Sequence, residues 1–180
     1  MGREVRMVPP DWVHPYDFND RSRAHVRGSC VSLRPLLSGN FDEALADWQR
    51  ERAQWDAGLV RDYSKDGEAW TQRPDDCSAD DWHGVRPEPG DYMPAFAPGT
   101  ATHCQMYETT SEGTPISPVF ATPEELARWL TDNGTSAFGD TTASYEGWLR
   151  VAKGGYACSG VMIGGVMTSG VDGLTHLESK

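Results

Sequence analysis

The chain has 180 residues, enough for one domain with its own apolar core, and its 27 acidic and 16 basic side chains give a formal charge of −11. This charge repels phosphate groups and anionic lipids, which argues against direct nucleic-acid binding and against membrane binding. The first twelve residues carry charge where a signal peptide needs an apolar stretch, and the four scattered cysteines form no CxxC pair, so we expect a cytoplasmic protein with free thiols.

The N-terminal residues predict a short strand. Residues 3–8 alternate charged and apolar side chains, which is the period of a strand with one apolar face. Pro9 and Pro10 would end this strand, because proline has no amide hydrogen to offer a sheet. The residues that follow are irregular, and within them Cys30–Leu33 is weakly extended.

A helix is predicted from Phe41 onward. Apolar residues recur at helical spacing as far as Trp55 and include Trp48. Asn40 suits the N-cap, and Gly58 suits the end of the helix. Since two indoles would lie on one face, we expect a core helix of roughly four to five turns.

The segment 60–100 shows no sustained periodicity and is rich in Asp, Gly and Pro. Such composition predicts a long irregular loop. Four aromatic side chains are expected to fasten this loop to the body of the protein, namely Trp70, Trp82, Tyr92 and Phe96.

An antiparallel hairpin is predicted next. His103–Thr109 alternates, with Cys104 and Met106 on one face, and Ile116–Ala121 is the expected partner strand. The loop between them contains Gly113, which tolerates backbone conformations that other residues avoid.

Two helices should follow the hairpin. Thr122 is a suitable N-cap for the first, with Pro123 at the first helical position and Asn133 at the end. The second is predicted over Ala143–Lys153, where apolar residues again recur at helical spacing.

The predicted fold is therefore α+β. We expect a small antiparallel sheet, made of the N-terminal strand and the hairpin, packed against about three helices within a single domain 1–180 that has long irregular loops. The Gly-rich segment 154–180 is either a buried strand through Val161–Ile163 or a mobile tail.

Several long segments resemble small uncharacterised proteins of tailed bacteriophages, prophages and related mobile elements. These segments are GREVRMVPPDWVHP, WHGVRPEPGDYMP, MYETTSEGTPISPVFATPEELARWL and SAFGDTTASYEGWL. The resemblance implies an origin in a mobile element. It transfers no activity and no catalytic residue.

Three patterns that could carry chemistry fail in a required residue or in spacing. The loop 134–141 has the two glycines of a phosphate-binding loop, but Asp140 stands where the lysine should be. The five histidines and four cysteines lack metal-site spacing, so we expect no metal and no cofactor. Cys158 lies in GYACSG, which only loosely resembles a nucleophile elbow.

The best candidate for a ligand site is the polar set around the hairpin tip. Hydroxyls and carboxylates that converge there could bind a polar small molecule, and Glu108 or Glu112 could act as a general base. The same side chains could instead satisfy the backbone of the turn. The candidate ligand-binding residues are His103, Tyr107, Glu108, Thr110, Ser111, Glu112 and Ser117.

The acidic run 75–91 is a candidate surface for a basic protein partner. A solvated loop explains these charges equally well. The candidate partner-binding residues are Asp76, Asp80, Asp81, Trp82 and Asp91.

Taken together, these patterns favour a non-catalytic accessory protein of phage or prophage origin that binds a host or phage partner protein. Seven tryptophans and a negative surface suit such recognition. The first alternative is a small enzyme or ligand-binding protein that acts on a polar metabolite or nucleotide fragment at the hairpin. The second is a minor component of the virus particle.

Overall fold

The computed structural model describes residues 2–17, 32–109, 113–163 and 166–173, which fall into two compact units. The first unit comprises Met1–Ser38 and Ala95–Lys180, and the second is Gly39–Pro94. The single domain expected over 1–180 stays a prediction. In chain order the elements are β1 (Arg3–Val8), β2 (Tyr16–Asp17), β3 (Ser32–Leu33), α1 (Phe41–Asp56), β4 (Leu59–Arg61), β5 (Trp70–Gln72), α2 (Ala79–His83), a 3-10 turn (Pro89–Asp91), β6 (His103–Glu108), β7 (Thr114–Pro115), α3 (Pro123–Asp132), α4 (Tyr145–Gly154), β8 (Tyr156–Ala157), β9 (Gly160–Ile163), β10 (Val166–Ser169) and α5 (Gly170–Gly173).

The fold is α+β, as predicted from the sequence. The first unit contains a four-stranded antiparallel sheet in the order β7-β6-β1-β8. The N-terminal strand β1 pairs with β6 in one continuous register, from Arg3 opposite Glu108 to Val8 opposite His103. Three helices of the described chain have seven or more residues, and they are α1, α3 and α4.

The predicted second strand of the hairpin, Ile116–Ala121, was wrong in position and extent, because β7 is Thr114–Pro115 and lies before it. β7 covers two residues, and the chain then bulges before Phe120 rejoins the sheet opposite Cys104. Within the bulge the Ser117 hydroxyl accepts a hydrogen bond from the Met106 amide at 2.9 Å. Pro118, which follows, has no amide hydrogen to donate to the sheet. At this point the Ser117 side chain, rather than a backbone group, makes the hydrogen bond to β6.

The apolar core of the first unit lies between one face of the sheet and the helices α3 and α4. Met106, Leu126, Leu130 and Trp148 are completely buried there. α3 begins as predicted, because the Thr122 hydroxyl accepts a hydrogen bond from the Glu125 amide. Leu126 and Leu130 are one helical turn apart, so they fix which side of α3 faces away from the core.

The second unit is built around α1, β4, β5 and α2. Asn40 caps α1 as predicted and accepts a hydrogen bond from the Asp42 amide at 2.9 Å. The expectation of a core helix was wrong, because Trp55 is the one buried residue of α1. Charged and polar residues surround most of the helix, which leaves too narrow an apolar stripe to bury Trp48 as well.

The predicted loop 60–100 contains more regular structure than its composition suggests. β4 and β5 form a hairpin, with Val60 opposite Thr71, and α2 follows it. Each of these strands has three residues, which is too short to show a period in the sequence.

The described part of the Gly-rich segment contains β8 and a further antiparallel pair of strands. β9 pairs with β10, with Met162 opposite Met167, and α5 follows at once. A strand at Val161–Ile163 is therefore present, but the expectation that it would be buried was wrong, because Met162 is 69% exposed. Residues 174–180 lie outside the described residues. None of the described helices combines the length and apolarity that a membrane crossing requires.

Gly170 lies where the chain leaves β10 and passes against Cys158. A Cβ atom at Gly170 would lie 1.9 Å from the Cys158 carbonyl oxygen, which is backbone and cannot rotate away. We therefore expect Gly170→Ala to lower the free energy of unfolding by about 1–3 kcal/mol, as overpacking does in a dense core. Chemical denaturation measures this loss.

Gly154→Ala is the matched control, because a Cβ atom there would have no neighbour within 4 Å. It should leave stability unchanged or raise it slightly. Equal effects of the two substitutions would contradict the close approach at Gly170.

Candidate functional site

The structure does not gather the described hairpin candidates into one pocket. His103 and Glu108 are the first and last residues of β6, which puts their backbones roughly 17 Å apart. His103 is partly exposed, whereas Tyr107 is completely buried. Three of the candidates, Thr110, Ser111 and Glu112, lie outside the described residues.

Tyr107 is the centre of a buried polar cluster on the face of the sheet that faces away from α3 and α4. Its hydroxyl accepts a hydrogen bond from Trp12 Nε1 at 3.1 Å, lies 3.0 Å from Gln105 Oε1 and lies 3.3 Å from His14 Nδ1. The Arg6 guanidinium lies 4.3 Å from the centre of the Tyr107 ring. We call these five residues the Tyr107 network.

The outer contacts of the network fix its hydrogen positions. His14 Nε2 lies 2.6 Å from the Arg34 carbonyl, so this nitrogen carries the hydrogen. Gln105 Nε2 donates to the Ser117 carbonyl at 2.7 Å, so the amide oxygen must face Tyr107. When His14 is neutral, its Nδ1 and the Gln105 oxygen share the single Tyr107 proton. The hydroxyl is thus engaged on every side, which makes Tyr107 a structural group.

Glu108 lies beside a buried arginine. Arg3 is 2% exposed, and its guanidinium donates to the carbonyls of Ser136 and Gly2. Burial lowers the pKa of Arg3, and the negative charge of Glu108 opposes that shift. Glu108 Oε1 is buried and has no hydrogen-bond partner among the described residues.

The acidic candidates of the second unit include two residues with partners in their own chain. The Asp81 carboxylate accepts hydrogen bonds from the Ser78 hydroxyl and amide, which lower the pKa of Asp81 and cap α2. Asp80 lies 3.2 Å from Arg52. Trp82 is 40% exposed and packs against Trp55 with ring centres 6.4 Å apart. The remaining two candidates, Asp76 and Asp91, are exposed and lie outside this helix.

The first unit contains an open cleft of about 610 Å³ beside α3. One wall is a stripe of α3 at positions i, i+3, i+4 and i+7, which places these residues on a single helical face. The opposite wall contains His103, Pro10 and the segment 119–121. We call this the Trp129 cleft, and its α3 stripe consists of Glu125, Arg128, Trp129 and Asp132.

Two aromatic rings form the apolar part of the Trp129 cleft. Phe120 and Trp129 have ring centres 6.0 Å apart, and Trp129 is half-buried. Phe120 is held by its backbone, which exchanges hydrogen bonds with Cys104 at 2.8 and 2.9 Å. An aromatic surface on a packed helix, with charged side chains along its rim, is suited to binding.

A second cleft, also of about 610 Å³, includes Trp129 in its lining. Its described lining carries no charged side chain and includes Ile116, Pro118 and Asn133. Ser117 lines this cleft, but its hydroxyl already accepts from the Met106 amide and donates to the Pro118 carbonyl. His103 and Ser117 thus belong to different clefts.

The sequence prediction for this helix named only Thr122, Pro123 and Asn133, so the α3 stripe was missed. The available signal was the regular spacing of Glu125, Arg128 and Asp132 around an aromatic residue. A tryptophan that shares a face with three charged residues points toward a rim rather than toward the centre of a core.

The remaining chemical candidates have ordinary structural surroundings. No group of three or more His, Cys, Asp or Glu side chains in the described ranges is arranged to hold a metal ion. Burial raises the pKa of the Cys104 thiol, which disfavours the reactive thiolate.

Comparison with protein-family models, with curated proteins and with solved structures found no match to this chain. The resemblance to phage and prophage proteins therefore stays an expectation.

Tyr107→Phe tests whether the Tyr107 network is structural. The substitution removes the shared hydroxyl and leaves Trp12 Nε1 and the Gln105 oxygen buried without it, so the free energy of unfolding should fall by about 1–3 kcal/mol. Tyr63→Phe is the control, because Tyr63 is 71% exposed. Equal stability of the two variants in denaturant titrations would contradict a structural role for Tyr107.

The network also predicts a pH dependence of stability. Burial, with a smaller contribution from the charge of Arg6, lowers the pKa of His14, although its contact with the Arg34 carbonyl opposes the shift. The unfolded chain binds a proton at His14 near its ordinary pKa of about 6.5, and the folded chain does so only at lower pH. The free energy of unfolding should therefore fall as the pH drops below about 6.5. His14→Gln should flatten this slope and His103→Gln should not, as measured by denaturation at a series of pH values.

Proposed function

We propose that this protein is a non-catalytic accessory protein of phage or prophage origin, which works in the bacterial cytoplasm by binding a partner protein through the Trp129 cleft. The observation that carries the proposal is the α3 stripe, where a half-buried tryptophan and three charged side chains line an open cleft. The phage origin comes from the sequence resemblance alone.

The composition of the cleft supports a protein partner. Tryptophan and arginine are enriched among the residues that contribute most to protein–protein binding, and Trp129 and Arg128 are neighbours on the stripe. The backbone that carries Trp129 is fixed, because the completely buried Leu126 and Leu130 anchor α3 to the core. Little side-chain and backbone freedom remains to be lost on binding, which favours affinity.

The charge of the chain supports a partner with a basic surface. A formal charge of −11 attracts such a partner over about a Debye length and repels nucleic acids. The acidic surface formed by Asp76, Asp80, Asp81, Trp82 and Asp91 remains a predicted contribution to this attraction.

The enzyme alternative receives less support. A catalytic site needs its acid, base and nucleophile within hydrogen-bond reach of a common substrate. Tyr107 is completely buried, and His103 and Glu108 lie at opposite ends of β6. The geometry therefore favours recognition over catalysis.

Site-specific photo-crosslinking in bacterial cells tests the proposal. A benzoyl-phenylalanine residue at Ala121, which is exposed on the rim of the cleft, should form an adduct with one defined protein. The same probe at Asp140, which is exposed and is not part of the cleft lining, should not form it. Adducts are read by gel shift and mass spectrometry.

Trp129→Ala tests whether the Ala121 adduct depends on the cleft. It should abolish the Ala121 adduct while the circular dichroism spectrum stays unchanged. An adduct that survives Trp129→Ala, or that forms equally from position 140, would contradict binding through the cleft.

A further inference from the structure

We infer that the residue of the partner that enters the Trp129 cleft is an arginine. This inference rests on the proposed function and specifies its ligand chemistry. It is carried by two acidic residues that flank Trp129 on the α3 stripe and that form no ion pair with the described part of the chain.

The helix places Glu125 and Asp132 on opposite sides of Trp129 along its axis. Glu125 lies four residues before Trp129 and Asp132 three residues after it, which corresponds to about 6 Å and about 4.5 Å along the helix axis. A cation bound at Trp129 would therefore have one acidic residue before it and one after it along the helix axis. This combines a cation–π contact with two opposite charges.

Neither carboxylate is neutralised within the described part of the chain. No ion pair within 4 Å joins Glu125 or Asp132 to a described cation. The neighbouring Glu124 differs, since its carboxylate lies 2.6 Å from Lys153 Nζ. A new cation can thus pair with Glu125 and Asp132 without first displacing an internal one.

Arg128 lies on the same stripe and leaves the acidic character of the cleft in place. Its guanidinium lies 5.3 Å from the centre of the Tyr145 ring, on the neighbouring helix. Two carboxylates against one guanidinium leave the stripe with a net negative charge. An anionic ligand is disfavoured by this balance and by the charge of the whole chain.

Arginine fits this arrangement better than lysine does. Its guanidinium is planar, so it can stack on an indole while its five N–H groups point outward in the plane of the ring. Two of its edges can then face Glu125 and Asp132. Lysine offers a compact ammonium that is more strongly hydrated and loses more on leaving water.

NMR titration of the whole protein with short peptides tests the inference. The probes are acetyl-Ala-Arg-Ala-amide and its lysine and citrulline counterparts. The arginine peptide should move the indole N–H signal of Trp129, which is assigned by its loss in Trp129→Phe. Citrulline has nearly the same shape without the charge and should cause no shift.

Charge-removing variants provide the matched comparison. The double variant Glu125→Gln with Asp132→Asn should weaken binding of the arginine peptide about fivefold, as expected for two exposed charge contacts. Glu124→Gln removes the same kind of charge one residue away from Glu125 and should leave binding unchanged. Both variants lie on the exposed side of α3, and an unchanged NMR spectrum elsewhere verifies the fold.

The possible outcomes separate this inference from the proposed function. A lysine response as large as that of arginine, a citrulline response, or equal binding by the double variant would overturn the assignment to arginine. The proposed function would still stand if the crosslinked adduct depends on Trp129. An adduct that no longer depends on Trp129 would contradict the proposed function. A saturable response to the arginine peptide that is lost in the double variant supports the inference.

Discussion

The pairing of β1 with β6 is the constraint on which the first unit depends. These two strands lie at the centre of the sheet, and both of their faces carry buried side chains. One face carries Val5 and Met106 toward α3 and α4, and the other carries Arg6 and Tyr107 into the polar network. A slip of one residue would exchange the two faces and would push a guanidinium into the apolar core. The register is therefore strongly specified.

The same pairing positions the Trp129 cleft. β6 binds Phe120 through Cys104, and the apolar face of the sheet holds α3 through its buried leucines. The two walls of the cleft are thus attached to the same strand. A surface built on regular elements in this way keeps its shape when a ligand arrives, which suits recognition of a fixed chemical group.

Local signals in the sequence predicted the elements that carry their own signatures. Alternation marked β1 and β6, and the caps Asn40 and Thr122 marked the starts of two helices, because these features depend on residues only a few positions apart. The burial of Tyr107 could not be predicted in this way. Alternation assigns Tyr107 to a face, but residues 12–14, more than ninety positions earlier, decide that this face is covered. Trp129 differs, because the charged residues that share its helical face are a local signal of a rim position. Which cleft it lines depends on the distant residues His103 and Pro10.

The order of the two units along the chain has a consequence for the ribosome. β1 can pair with β6 only after Glu108, the partner of Arg3, has been synthesised about 100 residues later. The whole of Gly39–Pro94 is synthesised between them. The contacts of Gly39–Pro94 are local by comparison, so this part can become native during translation, while the N-terminal segment stays unpaired. A nascent chain whose first 95 residues have left the ribosome would thus carry one folded unit and one unpaired strand.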